Sequence, residues 1–168
     1  AATYRRYWKR SSDGLWLNAN TGSSTDTFDV ADGFWIYNIH NSNQTLCFIG
    51  ELPDFYNMGG TTTDIARIEQ GLNQMAFAFP LSIAISNLSF KTQAYGGGSF
   101  NTSDQIMKFD PLLRSYKRYW RSAAANAWVD IDTVVPTPDA ISIADGFWYR
   151  RYTGQAAFDW AENKPYTW

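Results

Sequence analysis

Apolar and polar residues alternate with a period of two along much of this chain, and turn-forming residues interrupt the alternation at short intervals. In an extended segment, Tyr116, Arg118 and Trp120 share one face while Lys117, Tyr119 and Arg121 share the other. The pattern predicts strands over residues 3–10, 16–18, 33–39, 45–49, 73–79, 105–110, 115–121, 127–132, 146–152 and 156–160. Residues 63–70 read as one short helix, with Ile65 and Ile68 on one face and Asp64 near its start. Residues 83–90 fit a helical turn or a strand. Strands recurring about every 8–12 residues predict an all-β fold, an antiparallel sandwich or an open barrel.

The same pattern occurs twice. Tyr4-Arg5-Arg6-Tyr7-Trp8-Lys9 returns 112 residues later as Tyr116-Lys117-Arg118-Tyr119-Trp120-Arg121, and Trp16-Leu17-Asn18 returns as Trp128-Val129-Asp130. One further residue of shift aligns Asp26 with Asp139. It also aligns Ala31-Asp32-Gly33-Phe34-Trp35 with Ala144-Asp145-Gly146-Phe147-Trp148, five identities in a row. The second copy is preceded by Gly71–Pro80 and then by Asp104–Asp110, whereas the counterpart of Gly71 would fall about 41 residues before Ala1. Residues 1–50 therefore read as the C-terminal half of a first β-module and 71–168 as a complete second one. Between them, 51–70 reads as a linker with Pro53, Gly59-Gly60 and three threonines. Asp32-Gly33 and Asp145-Gly146 are expected to be turns that launch the Phe-Trp strands, with each glycine at positive φ.

The order G-x-N, a proline, Ile-x-x-aromatic-Asp, Tyr-x-x-Tyr, Trp and G-F-W-aromatic resembles β-modules in secreted and surface proteins of several bacterial groups. The matching pieces are Gly71, Asn73, Pro80, Ile106, Phe109-Asp110, Tyr116, Tyr119, Trp128 and Gly146-Phe147-Trp148-Tyr149. They cover about residues 71–160, and 4–50 repeat the latter half. Met75-Ala76-Phe77 departs from the Leu-Ile-Gly or Leu-Ile-Ala more usual in such modules. The resemblance implies an extracellular structural module and assigns no chemistry to any residue.

Composition narrows the function classes. Aromatic residues make up 17% of the chain, with 8 Trp, 10 Tyr and 11 Phe, and Asp outnumbers Glu thirteen to three. Aromatics favour strands and Asp favours turns. A net charge of −2 argues against a dedicated nucleic-acid partner. No apolar run is long enough for a membrane helix. The start at Ala1-Ala2 suits a mature secreted product, as it would a fusion scar or trimmed chain.

Candidate chemistry is sparse. A nucleophilic triad would have to use His40, which sits in a polar loop, and Cys47 lies in an apolar strand as a small hydrophobe. Gly96-Gly97-Gly98-Ser99 lacks the Lys that follows in a phosphate loop. Asp26, Asp29 and Asp32 do not follow the spacing of a calcium loop. No enzyme, cofactor or metal is expected.

The strongest signal is the aromatic and basic strands, with Tyr4, Tyr7, Trp8, Trp35, Tyr116, Tyr119, Trp120, Trp148 and Arg150 as candidate contact residues. A β-module cut in two leaves unpaired edges and an apolar face, so residues 4–50 need a partner. If a neighbouring copy supplies it, the contact is heterologous and propagates head to tail. The expected function is a non-enzymatic extracellular or cell-surface subunit of a self-assembling filament or array. The alternative is a carbohydrate-binding module that offers the aromatic residues to a polysaccharide.

Overall fold

A computed structural model of the protein describes residues 5–27, 33–34, 36–39, 42, 63–143 and 145–164. Tyr4, Asp32, Trp35, His40, Cys47 and the strand predicted at 45–49 lie outside the described residues. The fold is all-β. Its strands are β1 (Tyr7–Lys9), β2 (Trp16–Asn18), β3 (Thr63–Ile68), β4 (Gly71–Ala76), β5 (Ile83–Ala84), β6 (Gln105–Asp110), β7 (Ser115–Ser122), β8 (Ala127–Asp130), β9 (Ala140–Ile141), β10 (Gly146–Arg151) and β11 (Phe158–Asn163). Short 3-10 turns at Ile85–Asn87, Ser89–Thr92 and Phe100–Thr102 are the helical elements among the described residues, and none is long enough to cross a membrane.

Five antiparallel strands form the main sheet in the order β4-β10-β6-β7-β8. Antiparallel pairs β3–β11 and β5–β9 supply further strands. The core joins Met75, Ile106, Tyr119, Trp128, Phe147 and Tyr149 of the sheet to Ile68 of β3, Trp160 of β11, Ile141 of β9 and the 3-10 residues Ile85 and Phe90. Phe90 stands at its centre, edge-on to Tyr149 at 5.0 Å, Trp160 at 5.1 Å and Trp128 at 6.1 Å. Such T-shaped contacts match ring edges to ring faces and add to the area the rings remove from water.

The ends of β6 and β10 are pinned by one buried carboxylate. Asp104 is fully buried and accepts from the Tyr149 hydroxyl at 2.5 Å, Arg151 Nη1 at 2.5 Å, Tyr95 N at 2.8 Å and Tyr152 N at 2.7 Å. Arg151 also donates to the carbonyls of Gln93 and Ala156. With both ions hydrogen-bonded, the charge pair tolerates burial.

The sequence pattern of residues 63–70 misleads. They hold no helix: Thr63–Ile68 is β3, paired with β11 so that Ala66 meets Trp160 and Ile68 meets Phe158. Arg67 and Asp159 form an ion pair across the ladder at 2.9 Å. Long-range pairing with a strand some ninety residues away overrides a weak local helical pattern. The G-x-N element follows, with Gly71 at φ +86° and Asn73 bonding back to both backbone groups of Glu69. Residues 83–90 combine a two-residue strand with 3-10 turns.

Two other expectations are corrected. Gly33, Phe34 and Ile36–Ile39 adopt no strand, although the equivalent residues 146–151 form β10. β10 takes its ladder from β4 and β6. Neither Gly33 nor Gly146 has positive φ. Gly146 instead opens β10 opposite Ala76. Gly33 lies against β4, where a methyl group would stand 2.9 Å from both N and O of Met75. The glycine there permits close approach to a backbone and not a left-handed turn.

Candidate functional site

The two copies of the aromatic hairpin share one register. Tyr7 pairs with Asn18, Trp8 with Leu17 and Lys9 with Trp16; in the second copy Tyr119 pairs with Asp130, Trp120 with Val129 and Arg121 with Trp128. The loops after β2 and β8 also share their main backbone and side-chain bonds. The Asn18 side chain accepts from the amides of Asn20 and Thr21, and the Asp130 side chain accepts from those of Asp132 and Thr133. Ala19 N donates to Arg6 O and Ile131 N donates to Arg118 O. The left-handed position is Gly22 at φ +70° in the first loop and Val134 at φ +56° in the second.

Each hairpin is tied to an equivalent aspartate, Asp26 in the first copy and Asp139 in the second. Tyr7 donates its hydroxyl to Asp26 at 2.7 Å, Asn18 donates to that carboxylate at 2.7 Å, and Tyr119 donates to Asp139. The Asn18 and Tyr7 bonds hold the Asp26 carboxyl below its ordinary range. Burial first, and the Asp139 bond second, push the Tyr119 phenol far above its ordinary range, so it remains a donor. Lys117 adds ion pairs to Asp110 at 3.4 Å and Asp139 at 3.5 Å, and Asp139 is the larger cause of its raised pKa.

What differs is the cover. Trp128 is 2% exposed and Trp16 is 44% exposed. Trp120 is 7% exposed and Trp8 is 49% exposed. Phe147 and Tyr149 are buried, while their counterparts Phe34 and Ile36 are exposed. In the second copy, β6 lies along the outer edge of β7, with Ile106 opposite Tyr119 and Gln105 opposite Trp120. Phe90 covers the Trp128 side, and on the opposite side the Arg118 guanidinium lies 5.8 Å from the Phe100 ring. Among the described residues, β1 pairs with β2 alone. Arg5, Arg6, Trp8 and Lys9 along it are exposed.

The candidate contact residues therefore divide. Trp8 is on the surface, and Tyr7 is half-buried beneath its bond to Asp26. Tyr119 and Trp120 are buried in the second module and cannot form an exposed platform. Trp148 and Arg150 in β10 are half-buried. Tyr116 is partly exposed, edge-on to Phe109 at 5.5 Å beside the β6–β7 tip, where Leu112 is 92% exposed. Trp16, the most informative exposed residue, was visible in the sequence as the partner of Trp128, but its exposure depends on what packs around each hairpin. Asp145 bonds to Lys108 at 2.9 Å and accepts from Ser142 N, bracing the entry to β10. Comparison of the chain with protein-family models, curated proteins and solved structures finds no match.

Proposed function

We propose that this protein is a non-enzymatic structural subunit of an extracellular filament or surface array, held in the assembly through its first aromatic hairpin. The observation that carries this reading is the contrast between Trp16 and Trp128, which occupy one place in two copies of one hairpin at 44% and 2% exposure. Leaving indoles half in water forgoes hydrophobic stabilisation of roughly 25 cal/mol for each Å² of apolar surface left exposed. A neighbour that covers them recovers it. Because the covered face and the covering element are different surfaces, the contact is heterologous, and repeated contacts build an open array. Negative-stain electron microscopy of native material tests this: regular fibres or sheets are expected, and single small particles would contradict it.

The second reading, polysaccharide binding, rests on the exposed indoles of Trp8 and Trp16. The register places them on opposite faces of the hairpin, so they do not form one continuous platform. A shift of tryptophan emission on adding polysaccharide, retained in Trp128→Phe and lost in Trp8→Ala, would favour it.

A further inference from the structure

The register that sets Lys9 against Trp16 in the first hairpin sets Arg121 against Trp128 in the second. Directly opposed residues of an antiparallel pair share one face, so each pair brings a cation beside an indole N–H. In the first hairpin both residues are exposed, and water serves their donors. In the second the same pair is closed over. Trp128 is buried edge-on to Phe90 and Tyr149, and its Nε1 is buried with no hydrogen-bond partner among the described residues. Arg121 donates through Nε to the Lys91 carbonyl at 3.3 Å and through Nη2 to Asn126 Oδ1 at 2.6 Å. Its Nη1 is buried and unpartnered in the same sense. Both side chains meet one 3-10 turn, Trp128 at Phe90 and Arg121 at Lys91.

A buried N–H without an acceptor is costly, and the cost is greatest where the donor is charged. Arg121 lacks more than a hydrogen bond. Among the described residues, no carboxylate lies within ion-pair distance of it. The buried Asp104 accepts from Arg121 N through its carbonyl, but its carboxylate is taken by Tyr149, Arg151 and the amides of Tyr95 and Tyr152. Burial lowers the Arg121 pKa, and Tyr149 acts in the opposite sense. A guanidinium nevertheless stays charged inside a protein.

We propose that Arg121 Nη1 and Trp128 Nε1 form a binding site for a small inorganic anion of chloride size. The anion supplies the acceptor that both donors lack and the negative charge that Arg121 lacks, whereas a water molecule would supply only the first. The rings of Phe90, Trp128 and Tyr149 crowd the inner side, which favours a small, weakly hydrated ion over phosphate or sulfate. Asn126 is exposed in the β7–β8 turn, so the guanidinium runs inward from the surface and marks the way in. The site lies in the second module and does not rest on the assembly reading.

Thermal melting of the intact chain tests it, with chloride replacing gluconate at constant ionic strength. Gluconate is too large to enter. The expected result is a melting temperature that rises by several degrees and saturates with chloride, as binding to the folded state alone requires. Bromide should act in the same way. Arg121→Met should melt at one temperature in both salts. Trp128→Phe keeps a ring and removes one donor, and should need several-fold more chloride for half of the effect. Equal melting of the parent chain in chloride and gluconate would leave water as the partner of both donors and overturn the proposal. A rise that never saturates would mean an adventitious ion only, and a saturable rise retained in Arg121→Met would place the ion elsewhere; either result overturns it.

Discussion

Trp16 and Trp128 occupy the same position in two copies of one hairpin, opposite Lys9 and Arg121 respectively, yet one is open to water and the other is sealed against Phe90. Identical local structure with unlike burial means the difference lies in the surrounding elements and not in the hairpin. This separates the energetic roles of two residues that look alike in the sequence. Trp128→Ala is expected to cost about 3–5 kcal/mol, the range for truncating a large buried aromatic. Trp16→Ala should change the stability of the isolated chain by less than about 1 kcal/mol, as a surface substitution does. Its effect should fall on assembly instead. Thermal melting and sedimentation of both variants check the pair; equal losses of stability would contradict the account.

Val134 provides a second contrast. It holds φ +56° in the loop after β8, where the first copy has Gly22 at φ +70°. A β-branched residue in the left-handed region is strained, by roughly 1–2 kcal/mol. Val134→Gly should therefore raise the melting temperature by a few degrees even though it removes an apolar side chain, which is 60% exposed. A lower melting temperature would show that the valine makes a contact worth more than its strain.

The equivalent glycines Gly33 and Gly146 should respond differently to the same change. A methyl group at Gly33 meets the Met75 backbone at 2.9 Å, whereas at Gly146 the nearest atom is Met75 O at 3.8 Å. Gly33→Ala should detach the first segment from β4, seen as faster exchange at residues 33–39. Gly146→Ala should be nearly neutral. Similar exchange in both variants would count against the contact between Gly33 and β4.

Acid stability should follow the carboxylates at the loops. Asp26, bonded by Asn18 and Tyr7, and Asp110, bonded by the amides of Leu113 and Leu112, lie below the ordinary value of 3.8. A depressed folded pKa contributes stability that is present above 3.8 and lost as pH falls through the folded value. Asp64, raised by burial and opposite Glu162, acts in the other direction, adding stability as pH falls through its folded value toward 3.8. Melting temperature should thus rise slightly on mild acidification and then drop below about pH 4. Asp64→Asn should remove the rise, and Asp110→Asn should shallow the drop; a profile unchanged by both would be the contrary result.

Much of the architecture was legible because it is written locally. The strands at 16–18 and 105–110 fall where the alternation and turn residues place them, and the duplication aligns the hairpins without gaps. The errors share a physical origin in distant partners. β3 looks helical until β11 supplies its ladder, and residues 33–34 and 36–39 look like a strand yet form none. Gly33 reads as a turn residue because only the fold reveals the Met75 backbone beside it. The same limit applies to the candidate site. The duplication was countable along the chain, but which tryptophans remain in water depended on what packs against each copy.

The most direct test of the account compares hydrogen exchange over residues 5–18 in native material and in the same protein after dissociation. Strong protection of 5–18 in native material, released on dissociation while residues 105–130 stay protected in both states, is the predicted result. Fast exchange at 5–18 in both states would mean that nothing covers the first hairpin, and the assembly account would fail.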